Sequence, residues 1–260
     1  MTHRTPSSSP PVWSAADLAN DPHEAKDKGQ RIQRMFGAIA HRYDLNNRLH
    51  SFWRDQAWRR TAVRLCRVRS TDDVLDAACG TGDLAEAFAA AGVSSVCGVD
   101  FTAEMLDLAR AKAARKRPAG VAQPTYRLAD VMTLPFDDAS FHIVSIAFGL
   151  RNVTDPRRTL REFRRVLRPA GRAVILEFSQ PANPVLRVLN GLYCEQVMPV
   201  TATLLAGDRS GAYRYLPRSV STFADRETLA GMMAEAGFTD VSQQPLTFGV
   251  CTASLGHVAG

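Results

Sequence analysis

The segment Val74-Leu-Asp-Ala-Ala-Cys-Gly-Thr-Gly-Asp83 constrains this chain most. A short apolar run, two glycines within three residues, and a polar residue opening a helix-forming stretch predict a buried strand, a tight loop and a helix. A second apolar run, Ser95-Val-Cys-Gly-Val99, ends at Asp100, 20 residues after Gly80. That spacing is the layout of a nucleoside crevice at the edge of a parallel sheet. Glycine at 80 and 82 lets backbone approach a ligand where a Cβ would collide. Asp100 is placed to accept hydrogen bonds from a ribose diol.

The same loop argues against a dinucleotide. A pyrophosphate cradle wants G-x-G-x-x-G and a helix start free of negative charge. Here position 85 is Ala, Asp83 opens the helix and Asp76 precedes the loop. Carboxylates there repel phosphate and suit a cation. S-adenosylmethionine, with an adenosine, a sulfonium, an amino group and no phosphate, is the expected cofactor, and S-adenosylhomocysteine its product. Asp83 can also cap the helix, but capping leaves Asp76 and Asp100 unexplained.

A chain of 260 residues with 45% hydrophobic content suits one large α/β domain with a side element. No apolar run reaches the length of a membrane span, and the start, Met-Thr-His-Arg, has no signal-peptide character. A cytoplasmic location is expected. Cysteines 66, 79, 97, 194 and 251 form no C-x-x-C pair, and the histidines are dispersed, so no metal centre is expected. A net charge of +6 admits anionic partners, with a solvated basic surface as the plain alternative.

Residues 1–25, rich in Ser, Pro and Thr, are expected to be a disordered leader. Residues 26–70 are expected to form a helical lid. Its first helix runs from Lys26 to Ala40 with Ile32, Met35, Phe36 and Ile39 on one face. A polar joint follows at 41–47, then a helix from Asn47 to Arg67 carrying Phe52, Trp53 and Trp58 against Arg54, Arg59, Arg60 and Arg64. Such a helix either lies on a membrane surface or packs its aromatics on the main domain. Residues 71–260 alternate as strand and helix. Strands are predicted at 73–77, 95–99, 125–128, 141–147 and 173–178, and helices at 83–91, 102–116, 156–167 and 227–236. Residues 181–222 look like a helical insertion over the site, and 241–255 like a closing hairpin.

The order of Asp76-Ala-Ala-Cys-Gly-Thr-Gly-Asp83, Asp100, Leu134-Pro-Phe136 and Arg168-Pro-x-Gly171 resembles the class I methyltransferases that use S-adenosylmethionine. Phe148-Gly-Leu-Arg-Asn-Val153 is similar to a segment of the ubiquinone/menaquinone biosynthesis C-methyltransferases. So are Met35-Phe-x-x-Ile-Ala-x-Arg-Tyr-Asp44, Leu176-Glu-Phe-Ser179 and Tyr213-Arg-Tyr-Leu216. The resemblance implies a Rossmann-like seven-stranded sheet with helices on both faces and an antiparallel last strand. It implies methyl transfer to a ring carbon of a polyprenyl quinol, either demethylmenaquinol or a methoxy-benzoquinol. It further implies that Thr81 contacts the cofactor, that Asp130 accepts from the adenine amine, and that Val131 donates a backbone N–H to the ring. Ala147 stands where the family often has Ser, and Cys79 where many members have Gly.

Arg151 and Asn152 follow a strand that ends near the cofactor, so they can face the acceptor. Arg151 can stabilise a quinolate oxygen through a charge-assisted bond but is a poor base, which leaves a bound water to carry the proton. Asn152 can orient a ring hydroxyl, and Tyr43 can reach the other quinol oxygen from the lid. A structural reading stands beside this one: Arg151 and Asn152 cap the turn before Asp155, and Tyr43 packs. Glu177 is either a cleft residue or an ion-pair partner. The prenyl tail needs an apolar groove, supplied by 181–222 and the lid, with peripheral contact at the inner face of the membrane. Rival readings are another lipophilic acceptor, an RNA methyltransferase, or a noncatalytic scaffold. With no Asn-Pro-Pro-Tyr-type tetrad and no appended RNA-binding module, no nucleic-acid partner is expected. The oligomeric state is open.

Overall fold

The computed structural model describes residues 11–115, 118–206 and 210–260. Seven strands form one sheet: β1 (Asp73–Ala77), β2 (Ser95–Asp100), β3 (Thr125–Leu128), β4 (Phe141–Ala147), β5 (Leu167–Phe178), β6 (Thr239–Leu246) and β7 (Cys251–His257). Their order is β3-β2-β1-β4-β5-β7-β6. β1 to β5 pair in parallel, while β7 runs antiparallel to both β5 and β6. The expected Rossmann-like sheet and its closing hairpin are therefore present.

The helices are α1 (Ala15–Ala19), α2 (Lys28–His50), α3 (Arg54–Leu65), α4 (Asp83–Ala90), α5 (Ala103–Ala113), α6 (Pro156–Val166), α7 (Pro184–Leu192), α8 (Met198–Ala206), α9 (Ala212–Thr222) and α10 (Arg226–Glu235). Neighbouring residues on a central strand enter different cores, as the two-residue period of a strand requires. Val74, Ile143 and Val174 pack with Ala62 and Cys66 beside α3 and with Leu84 and Phe88 of α4. Leu75, Val144 and Ile175 pack on the other face with Leu160 and Phe163 of α6 and Met233 of α10. Because both faces are covered, apolar residues fill the buried middles of these strands on both sides, Val74 and Leu75, Ile143 and Val144, Val174 and Ile175. Asp155 starts α6 by accepting from the Arg158 N–H at 2.8 Å, with Pro156 at the first helical position.

Three expectations for the N-terminal region need correction. Residues 11–25 are not a loose leader: Trp13 is 1% exposed and stacks on Tyr215 at 4.8 Å. Ser14 and Asp17 form a capping box at α1. A polar composition concealed one buried aromatic anchor; residues 1–10 lie outside the described residues. The polar joint at 41–47 is continuous helix within α2. It contains no Pro or Gly to interrupt the backbone bonds, and the chain turns only at Phe52 and Trp53, both left-handed. Finally, Arg59 is not on a basic outer face. It is buried and pairs with Asp55 at 3.0 Å.

Ile32, Met35 and Ile39 of α2 join Trp13, Tyr213 and Tyr215 in a separate cluster. With α8 and α9, this cluster roofs the carboxyl ends of the parallel strands. Among the described residues, no helix is long and apolar enough to cross a membrane.

Candidate active site

The strand order reverses between β1 and β4, and a crevice opens beyond the carboxyl ends of strands at such a point. A cavity of 290 Å³ lies there. Gly80 after β1, Asp100 at the end of β2, Asp130 and Val131 after β3, and Ala147 and Phe148 at β4 form its floor. Gln33 and Phe36 of α2 form its roof. Gly80 has φ of +54°, and a Cβ built on it would meet nothing within 4 Å, so it would project into open space. Asp100 Oδ2 accepts from the Gly80 N–H at 2.8 Å and Oδ1 from the Thr102 N–H at 2.9 Å. This bond between loop and strand end explains the spacing in the sequence. Each carboxylate oxygen keeps a lone pair for a ligand hydroxyl. Burial raises the Asp100 carboxyl above its ordinary value, against the backbone N–H groups that lower it. Asp130 Oδ1 accepts from the Met132 N–H at 2.9 Å, which shapes the loop around buried Val131.

Three other residues expected at the cofactor do not line this cavity. Asp76 is buried beneath the loop, where Oδ1 accepts from the Ser145 hydroxyl at 2.8 Å. Gly82 starts α4 with φ of +82°, and a Cβ there would stand 2.3 Å from the Tyr126 hydroxyl oxygen, so its glycine serves packing. Thr81 turns away: its hydroxyl donates to Asp44 Oδ1 at 2.6 Å and accepts from Lys112 Nζ at 3.1 Å. Asp83, expected to face a cationic ligand, is matched by protein cations instead. It accepts from Lys112 at 2.5 Å and from Arg48 at 3.0 Å. Burial pushes the Asp83 carboxyl up, but Lys112, Arg59 and Arg48 outweigh this and hold it below its ordinary value. The cluster ties α2 to the start of α4 and to α5.

A second cavity, of 450 Å³, adjoins the first. Both volumes are on the scale of small-molecule sites, roughly 300–1,000 Å³. Phe36, Tyr43 and Phe148 line both cavities and so form the partition between them. Phe148 holds a left-handed backbone with φ of +58°, a conformation that costs about 1–3 kcal/mol and that bulky residues keep only where their surroundings impose it. Its N–H donates to Leu176 O at 2.7 Å, and its carbonyl accepts from Arg151 Nη1 at 2.6 Å and Asn152 Nδ2 at 3.1 Å. Its ring lies against Phe178 at 4.5 Å. Tyr43 packs edge-on to Phe36, and burial raises its phenol, which stays a neutral donor.

Arg151 and Asn152 are brought to this partition but face different cavities. Arg151 lines the larger one and is paired with Glu177 at 2.8 Å. Glu177 is thus the ion-pair partner, 2% exposed, at the end of β5. Asn152 borders the smaller cavity, and its Oδ1 accepts from the Tyr215 hydroxyl at 3.0 Å. Both also donate to the Phe148 carbonyl, a structural role different from the capping of the turn before Asp155 that the sequence offered.

Lys28 is a residue the sequence did not mark. It is 1% exposed, and Nζ donates to Arg151 O at 2.9 Å and to Val153 O at 2.6 Å. It also donates to His23 Nδ1 at 3.0 Å, while His23 Nε2–H donates to Ser219 O at 3.0 Å. No local pattern announces a lysine whose partners are 123 and 125 positions away. Phe148 was visible only as part of a motif, without its function as a wall.

The smaller cavity fits S-adenosylmethionine. It offers a glycine with open space at its Cβ, a carboxylate at a strand end, and a loop with Asp130 and Val131 in its floor. Among the described residues, no group of three or more His, Cys, Asp or Glu could hold a metal ion.

Comparison with known proteins agrees with this geometry. The model of the ubiE/COQ5 methyltransferase family matches residues 24–258. A protein of Citrifermentans bemidjiense, named ubiquinone/menaquinone biosynthesis C-methyltransferase UbiE, is 45% identical over 232 residues, 88% of this chain and 97% of that one. The demethylmenaquinone methyltransferase of Deinococcus radiodurans is 43% identical over 234 residues, 90% of this chain and 95% of its own length. A solved S-adenosylmethionine-dependent methyltransferase from Thermotoga maritima shares the fold with a TM-score of 0.60 at 18% identity, covering 87% of this chain and 99% of that one.

Proposed function

The chain belongs to the ubiE/COQ5 methyltransferase family, and we propose that it methylates a ring carbon of a polyprenyl quinol, with demethylmenaquinol as the favoured acceptor. The carrying observation is the shared partition of Phe36, Tyr43 and Phe148, which sets a nucleoside-type cavity against a larger, mainly apolar one. A methoxy-benzoquinol is the alternative acceptor, in keeping with the double name of the Citrifermentans relative.

When bound, S-adenosylmethionine supplies the methyl group: its C–S bond breaks as the ring carbon's electron pair forms the new C–C bond, leaving S-adenosylhomocysteine, and the ring proton departs. Asp100 holds the ribose hydroxyls, and Asp130 and the Val131 N–H hold the adenine. Phe148 and Tyr43 orient the ring and keep water from the reacting carbon, where alignment and dryness contribute most. Arg151, in the wall of the larger cavity, donates to a ring oxygen of the quinol. Its pairing with Glu177 lowers the field it offers, which favours a bound ring hydroxyl polarised by Arg151 over a free quinolate. The ring proton passes to water, because an arginine does not accept it at neutral pH. Tyr43 donates to the other quinol oxygen.

A polyprenyl acceptor resides in lipid, so the enzyme works as a peripheral protein at the inner face of the membrane. The test is a methyl-transfer assay with labelled S-adenosylmethionine and, in parallel, reduced demethylmenaquinone and a reduced demethylated ubiquinone precursor. Label on a ring carbon is expected, faster with the naphthoquinol. No label in either acceptor, with S-adenosylhomocysteine binding intact, sinks the quinol reading.

A further inference from the structure

Helix α7 carries Val185, Val188, Leu189 and Leu192 at i, i+3, i+4 and i+7, the stripe with which a surface helix normally meets its core. Here the stripe faces outward. The four side chains are 65%, 63%, 57% and 48% exposed, and α7 buries none of its residues. Three aromatics accompany it. Phe52, Trp53 and Phe248 are 73%, 56% and 79% exposed, on backbones with φ of +52°, +59° and +59°. Bulky side chains rarely adopt that region, so the fold holds all three outward in an unfavourable conformation.

These segments, distant in sequence, ring one opening. The Phe52 ring lies 6.2 Å from that of Tyr193, which lines the 450 Å³ cavity with Val188. Thr247, next to Phe248, accepts from Trp58 Nε1 at 2.8 Å, and Gly249 sits against Pro181 just before α7. Val188 and Arg187 are at once exposed and part of the cavity wall, so the cavity opens through this face. Exposed Arg54 follows Trp53 and exposed Arg187 lies within α7, which holds no acidic residue; Glu195, beyond its end, is exposed on the same segment.

We infer that this face docks on a bilayer containing anionic lipid, with Phe52, Trp53, Phe248 and the α7 stripe seated at the boundary of headgroups and acyl chains. Aromatic and aliphatic side chains with flanking arginines are the composition of an interfacial anchor. The occupant is lipid and not a second copy, because a protein seated on the stripe would cover the opening that a lipid-borne acceptor must use; this clause rests on the proposed function. The contact surface is α7 and its aromatic rim with Arg54 at the start of α3, and buried Arg59 takes no part in it.

The test uses tryptophan emission of the full chain. Of its three tryptophans, Trp13 and Trp58 are 1% and 6% exposed, so Trp53 reports the rim. With vesicles of phosphatidylcholine and phosphatidylglycerol, we expect a blue shift, quenching by brominated acyl chains, and co-sedimentation that weakens with salt. The F52N/L189Q/F248N variant replaces no cavity residue and puts Asn, which tolerates left-handed backbone, at both strained positions. It is expected to bind vesicles at least tenfold more weakly while keeping S-adenosylhomocysteine binding and turnover of a tail-free quinol. A wild-type protein that shows no shift and stays in the supernatant overturns the inference. So does a variant that binds vesicles as the wild type does, or a wild-type dimer that the variant dissolves without change in vesicle binding. Vesicle binding without any quinol turnover would sink the acceptor reading and leave the docking surface standing.

Discussion

The ammonium of Lys28 donates to the backbone carbonyl of Arg151 at 2.9 Å, across 123 residues of sequence. With its bond to Val153, it clamps both sides of Asn152 and fixes the loop that carries Phe148. Lys28→Met leaves two carbonyls without their donor, at a cost of roughly 1–3 kcal/mol each. Turnover is expected to fall about tenfold or more, with a smaller change in S-adenosylhomocysteine affinity, because Asp100 and Gly80 lie on other loops. Burial pushes the Lys28 ammonium from an ordinary 10.5 to about 8. Between those values the folded chain binds fewer protons than the unfolded one, so this group's contribution to stability grows as pH rises through the window. The melting-temperature gap between wild type and Lys28→Met is expected to widen from neutrality to about pH 10. A gap independent of pH would mean that the lysine titrates normally.

Gly80 and Gly82 are predicted to fail differently. A Cβ on Gly80 meets no protein atom, whereas one on Gly82 collides with Tyr126. Gly80→Ala should therefore cost only the left-handed penalty, about 1–2 kcal/mol, while weakening cofactor binding strongly. Gly82→Ala should lower the melting temperature more and impair binding only through that loss. Thermal shifts with and without S-adenosylhomocysteine separate the two cases; the reverse ranking would overturn the assignment of Gly80 to the cavity.

Arg151 and Glu177 are a buried pair at 2.8 Å. Removing one partner from such a pair typically costs about 3–5 kcal/mol, because the other charge is left uncompensated. Arg151→Ala should destabilise the protein, and Arg151→Ala with Glu177→Gln should recover much of the loss. Turnover should stay low in both variants. Recovery of turnover with stability would make Arg151 a structural residue only.

Asp76 gives a test by pH. Burial pushes its carboxyl up to about 7, against the Ser145 hydrogen bond. A raised carboxyl binds more protons folded than unfolded between 3.8 and 7, so its contribution falls as pH rises across that window. Asp76→Asn is expected to raise the melting temperature above neutrality and to have little effect near about pH 4. Because Asp76 does not line the cavity, S-adenosylhomocysteine affinity should change by about twofold or less. A tenfold loss would place its carboxylate in contact with the ligand.

The parallel sheet was legible because its signals are local. Apolar runs within 73–77 and 141–147 are bounded by turn residues, and the strands occupy those same residues. The crevice was legible for the same reason: Gly80 follows β1 and Asp100 ends the next strand, β2, and the two meet in space. The sequence by itself therefore determined the parallel strands, the closing hairpin and the meeting of Gly80 with Asp100. Tertiary structure alone decided which charges face that place. Asp83 looked like a ligand for a cation until Lys112 and Arg48, 29 and 35 positions away, were seen to neutralise it. Trp13 looked like part of a disordered leader until Tyr215 received it, and residues 181–222 looked like an insertion over the site with no sign that the stripe of α7 meets solvent. Periodicity states that a face is apolar and a residue type states that a group is charged. Neither states the partner, because long-range pairing depends on how distant helices close over the sheet, and no window of neighbouring residues contains that information.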